Sequence, residues 1–162
     1  FTACSAGAVT LSTVSTTCTG LALSNSWGSG KNLVVWQVDF APSTAPGGAS
    51  VVGMAVHTAL SQTETTHTTP MVIKSCLLGN ATTGCAGRVD AAATLASTPL
   101  WLRAMASVVA ASSISPAKYA DLTQGSLIVP PGGVVSLSYL TTAAVGIASI
   151  TWVEVPVGIN LQ

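Results

Sequence analysis

Two histidines and five carboxylates are all that this chain offers for acid–base or metal chemistry. His57, Glu64 and His67 share one stretch, but a metal ion needs three or four converging ligands. The gaps between these three cross a loop of small polar residues, 59–70. The expectation is no metal site, with His57 at a strand end and His67 in a loop. A serine nucleophile needs a base and an orienting acid. The histidines could find that acid only in Asp39, Asp90 or Asp121 among the aspartates, and no G-x-S-x-G elbow is present. Paired carboxylates for glycosidic chemistry would have to be drawn from acids scattered along the whole chain. Gly28-Ser29-Gly30-Lys31 has the look of a phosphate loop, but the upstream glycine is missing and Asn32 stands where Ser or Thr would hold magnesium. It reads as a turn leading into a strand. No enzyme, catalytic residue or cofactor is expected.

Other side chains invite binding or covalent readings. Cys4, Cys18, Cys76 and Cys85 are even in number and fall into two local pairs. Three connectivities are open; Cys4–Cys18 and Cys76–Cys85 is the favoured one, and four small buried thiols is the alternative. Disulfides would place the protein in an oxidising environment. Trp27, in a Gly/Ser loop, is the candidate ligand contact among four tryptophans, because an exposed aromatic face can stack on a sugar. Trp36, Trp101 and Trp152 fall in apolar runs and are expected in core or interface. Asn80-Ala81-Thr82 is a glycosylation sequon.

These residues sit on an unusual background. Asp, Glu, Lys and Arg make up 6% of the chain, about a quarter of the ordinary share. A surface with so few charges is poorly defended against association, so it belongs on a building block that its neighbours cover. The formal net charge is +0, which leaves no basic face for nucleic acid or anionic lipid. Long charge-free stretches such as 40–63 and 126–153 are interrupted by Pro and Gly, so neither supplies the roughly 20 continuous apolar residues of a spanning helix. A length of 162 residues suits one domain spanning 1–162.

The elements that position these side chains are short and rich in Val, Ile and Leu, bounded by Gly, Pro, Asn and Thr, as strands are. The pattern predicts eight or nine strands near 8–11, 20–24, 32–40, 50–57, 71–78, 100–108, 125–129, 134–140 and 147–155. In 32–40, Val34, Trp36, Val38 and Phe40 alternate with Leu33, Val35, Gln37 and Asp39, so the first set is expected inside. The last strand has no clearly polar face, and a strand apolar on both faces is covered twice. Pro130-Pro131-Gly132-Gly133 is a turn. One or two short helical turns are expected, at 115–122 behind a serine cap and proline, and at 90–95 behind Asp90. Glu64 should mark an exposed loop, while Asp39 and Glu154 should be paired or placed at an edge. The whole predicts an all-β antiparallel sandwich, with a jelly roll as first choice.

Four segments in collinear order carry a resemblance: 23–33, from Leu23-Ser24-Asn25-Ser26-Trp27 to Leu33; Thr66-His67-Thr68-Thr69-Pro70; Ile128-Val129-Pro130-Pro131-Gly132-Gly133; and 148–156, ending Trp152-Val153-Glu154-Val155-Pro156. Together they resemble a group of uncharacterised proteins encoded by environmental tailed phages. The resemblance implies a virion structural protein, a capsid decoration or fibre subunit with a β-sandwich fold, and brings no catalytic residues. It also implies an arm preceding Phe1, and cysteine pairs peculiar to this member. The expected partners are copies of the chain, as a trimer or larger lattice, and a major capsid or other virion protein. The expected location is the virion or another extracellular particle. Two other functions fit the composition: an extracellular filament assembled by strand exchange, and a carbohydrate-binding module using Trp27 and residues 59–69.

Overall fold

The computed structural model describes residues 1–45, 47–58, 66–77, 84–109 and 118–158. Among these the chain forms strands and no helix. The first are β1 (Thr2–Cys4), β2 (Val9–Thr10), β3 (Ser12–Thr13), β4 (Thr17–Asn25) and β5 (Lys31–Pro42). Then come β6 (Ser50–Thr58), β7 (Thr66–Pro70), β8 (Ile73–Lys74), β9 (Gly87–Thr94) and β10 (Leu100–Val108). The last are β11 (Tyr119–Asp121), β12 (Leu127–Val129), β13 (Gly133–Tyr139) and β14 (Val145–Pro156).

They form two sheets packed face to face. The first runs β11-β5-β14-β1-β8, with β12 also on β5 and β2 also on β14. The second runs β10-β6-β13-β4-β9-β7, with β3 also on β13. Every pairing is antiparallel except the short parallel one between β3 and β13. The antiparallel sandwich expected from the sequence is what the chain forms. Its core joins Leu33, Val35, Val38, Phe40, Ile150 and Trp152 of the first sheet to Leu21, Leu23, Met54, Val89, Val135 and Leu137 of the second. Among the described residues no helix is long and apolar enough to cross a membrane.

The alternation expected in β5 holds for half its length. Leu33 and Val35 are buried and Trp36 is exposed, then Val38 and Phe40 are buried. The cause is a β-bulge: Thr151 pairs with Gln37 but Trp152 with Val35, leaving Trp36 as the extra residue. One added residue moves the rest of the strand onto the other phase of the pleat. Val38 and Phe40 therefore face the core as expected, whereas Val34 and Trp36 face outward.

The expected helical turns are corrected. Residues 90–94 belong to β9, held on one side by β4 and on the other by β7; two full ladders outweigh the mild helix preference of three alanines. Of 115–122, residues 115–117 lie outside the described set, and Tyr119–Asp121 form β11 on the edge of β5. The polar loop expected at 59–70 ends in a strand, β7, since threonine suits a pleated edge. Glu64 and the sequon at Asn80 lie outside the described residues.

Two corners cross between the sheets at one end of the sandwich. At Pro130-Pro131-Gly132-Gly133 the Gly133 N–H donates to the Pro130 carbonyl at 2.8 Å and Gly132 has φ 81°, the geometry that Pro followed by Gly favours in a type II turn. At the other corner, Gly28-Ser29-Gly30 leads into β5 and the Ser29 N–H donates to the Ser26 carbonyl at 3.0 Å. Buried Asn25 joins the two corners, its Nδ2 donating to the carbonyls of Lys31 at 2.7 Å and Val129 at 2.9 Å.

Candidate functional site

The densest polar cluster lies beside those corners. Glu154, near the end of β14, has a side chain only 4% exposed. Its Oε1 accepts from the N–H groups of Ala86 at 2.7 Å and Gly87 at 3.0 Å, from the Cys85 thiol at 3.1 Å and from the Trp152 indole at 3.4 Å. Its Oε2 pairs with Lys31 Nζ at 2.9 Å, and Lys31 also donates to the Gly84 carbonyl. Burial by itself would raise the carboxyl pKa, but donation from Gly87, Lys31, Cys85 and Ala86 outweighs it and holds the value down to about 2. Burial, then Glu154, pushes the Cys85 thiol up to about 12. A carboxylate held at so low a pKa and accepting from five donors, beside a thiol that stays protonated, is poorly suited to act as base and nucleophile. The cluster is a clasp fixing residues 84–87 across β14 and β5.

The other described carboxylates are engaged as well. Asp39 Oδ1 meets Lys118 Nζ at 3.2 Å, and Gln37 donates to both its oxygens. Arg103 Nε meets Asp121 Oδ2 at 2.9 Å, tying β10 of one sheet to β11 of the other. Asp39 and Glu154 are paired, as expected of charges inside strands.

Asp90, 1% exposed, meets His67 Nδ1 at 2.5 Å. This is the acid–base half of a nucleophilic triad, so the third member decides its meaning. Cys18 occupies the same row as His67 with Ala93 between them, two strands away, or roughly 10 Å. Burial raises the Cys18 pKa too, so this thiol neither reaches the imidazole nor ionises readily. His57 touches Ser97 Oγ at 3.0 Å on the exposed surface; the hydroxyl sits between the two ring nitrogens. Among the described residues no three His, Cys, Asp or Glu side chains converge as metal ligands.

None of the four cysteines is joined to another in the structure, so the expected pairing Cys4–Cys18 and Cys76–Cys85 finds no support there. Cys4 ends β1 in the first sheet and is exposed, whereas Cys18 lies in the second, packed with Ala22, Ala93, Leu95 and Val134. Cys85 is turned toward Glu154 and Gly87. Spacing along the chain suggested loops to be closed, but the strands carry the members of the first pair to different sheets.

Trp152 is buried in the core, stacked on Phe1 with ring centroids 5.9 Å apart. Trp27 is 38% exposed in the corner before β5, and Trp101 is about as exposed, its ring lying over Gly53. Trp36 is 47% exposed. It belongs to a feature that sequence reasoning missed. On the outer face of the first sheet, Ile128 of β12, Val34 of β5 and Val153 of β14 are direct neighbours in one row. Val155 follows on the same face. Ile128 is 53% exposed and Val153 47%. The available signal was the mixed hydropathy of the last strand, which already lacked a polar face. Beyond the bulge the same face turns polar: Asp39 accepts from Gln37 and Ser149, and Thr151 donates to Thr2.

No protein-family model, curated protein or solved structure matches the chain.

Proposed function

We propose that the chain is a structural subunit of a virion, a capsid decoration or fibre protein of a tailed phage, which works by self-assembly without catalysis. The observation that carries this reading is the number of large apolar side chains that the strands leave outside the core. Trp36, Ile128, Val153 and Val155 stand on the first sheet, and Leu100, Trp101 and Leu102 on β10. With 6% charged residues, such surfaces favour contact over solvation. The strand order supports a jelly roll: β1-β14-β5 with β11 and β12 in one sheet and β4-β13-β6-β10 in the other follow the order of its two four-stranded sheets. Strands β7, β8 and β9 are then an insertion. Virion and lectin domains both use this architecture, so the argument from fold to function is one of analogy.

The carbohydrate-binding reading keeps one point in its favour, the exposed indole of Trp27. The strand-exchange filament loses support because Phe1 to Leu11 pack into their own sandwich, with β1 and β2 both on β14. Light scattering on the purified chain, coupled to size exclusion, should show an oligomer at micromolar concentration. A stable monomer would sink the structural reading, and glycan binding abolished by Trp27→Ala would promote the lectin-like one.

A further inference from the structure

We infer that the apolar end of the first sheet's outer face, centred on the row Ile128–Val34–Val153 and extended by Trp36 and Val155, docks face to face on a second copy of this chain. The inference rests on the structural-subunit reading and gives it a surface. No charged side chain belongs to the patch, and Lys31, at the start of β5, is neutralised by Glu154. The polar end of the same face is satisfied internally through Asp39, Gln37, Lys118 and Ser149, so it requires no partner. The bulge at Trp36 separates the two ends and places the largest side chain of the patch at the boundary.

Size and charge favour a copy as the occupant. The patch offers apolar surface on the order of 400 Å², within the roughly 300–600 Å² of the largest patch on a typical monomer, a size that is often functional. A standard interface takes about 800 Å² from each partner and is a little over half apolar, so the patch matches the apolar part of one such contact. An uncharged patch on a chain of net charge +0 meets its own image without repulsion, as a two-fold contact demands. A two-fold running along β5 sets Val34 against its own copy and Ile128 of each copy over Val153 of the other, the two sheets lying about 10 Å apart. The exposed edge strand β10 is the weaker surface. Register shifts at Trp101/Arg103 and Ala104/Ala106 bend it, which blunts an edge against strand addition, and Arg103 is tied down to Asp121.

Val153→Lys and Ile128→Lys place a charge in the row without touching the core. Val72→Lys, at an exposed position away from the patch, is the control. Sedimentation velocity and circular dichroism are to be recorded on all three and on the parent chain at micromolar concentration. The expected result is an oligomeric parent and control, and folded V153K and I128K with dissociation constants raised at least about 100-fold, since burying an unpaired charge costs several kcal/mol. Folded V153K and I128K that keep the parent's mass would overturn this surface while leaving the structural-subunit reading intact. A monomeric parent would overturn both. Should either lysine variant fail to fold, Trp36→Ala, an exposed truncation, gives the same readout: unchanged mass and dissociation constant count against the surface, and a weakened oligomer supports it.

Discussion

Glu154 shows how a single ionisable side chain is used when charge is scarce. It replaces the solvation it loses with N–H donors from residues 86 and 87, a thiol, an indole and Lys31. Its folded pKa of about 2 lies below the ordinary glutamate value of about 4.3, so its stabilisation is fully present above about pH 4.3. That stabilisation is lost as pH falls toward 2. The lost amount is at most about 3 kcal/mol, less whatever solvent screens at half-exposed Lys31. Melting temperatures recorded from neutral pH down to about pH 2 should fall more steeply for the parent than for Glu154→Gln, with the excess fall confined to that acid window. Equal slopes would mean that the clasp is not ionised in the way its donors imply. That Glu154 would be paired was legible from a charge inside an apolar strand. Its other partners were not, because residues 84–87 reach it only through the fold.

At the scale of elements, bulges decide what the pleat alone cannot. The extra residue at Trp36 swaps the buried phase of β5, so a strict alternation read from the sequence places Val38 and Phe40 correctly and Val34 and Trp36 wrongly. A second bulge in β4, between Thr19 and Ala22, depends on Gly20 at φ 108°. A Cβ there would overlap the Leu11 side chain and lie 3.1 Å from its Cα. Gly20→Ala should therefore cost about 2–4 kcal/mol, combining left-handed backbone strain with a core clash. Urea denaturation measures this directly, and a loss under about 1 kcal/mol would show that β4 tolerates the methyl group. Helical signals at Asp90 and over Tyr119–Asp121 misled for a different reason: local preferences describe what an isolated segment favours, and ladders from β4, β7 and β5 override that preference.

For the whole molecule, three ion pairs and the contact of Asp90 with His67 engage every described carboxylate within the chain, so the proposed contacts between copies would fall to apolar side chains. Such contacts are nearly blind to ionic strength. The oligomer's dissociation constant, measured by sedimentation, should change by less than about threefold between roughly 0.1 M and 1 M sodium chloride. A marked weakening in salt would mean that ion pairs between copies hold the assembly, contrary to the surface assigned here.

By itself the sequence determined the class of this protein. Short β-branched runs with period two, broken by Pro and Gly, can bury their apolar faces economically only as two packed sheets, and the charge content already pointed to association. The tertiary structure decided which apolar residues the core consumed and which it left outside. Bulges and strand order set that division: Trp36 and Trp152 are one residue type with similar strand contexts, yet one lies outside and the other fully inside. It also dealt the four thiols to their separate places and brought Ile128, Val34 and Val153, from three distant segments, into one row. Adjacency of that kind arises from hydrogen-bonded register between strands, and no local pattern along a chain encodes it.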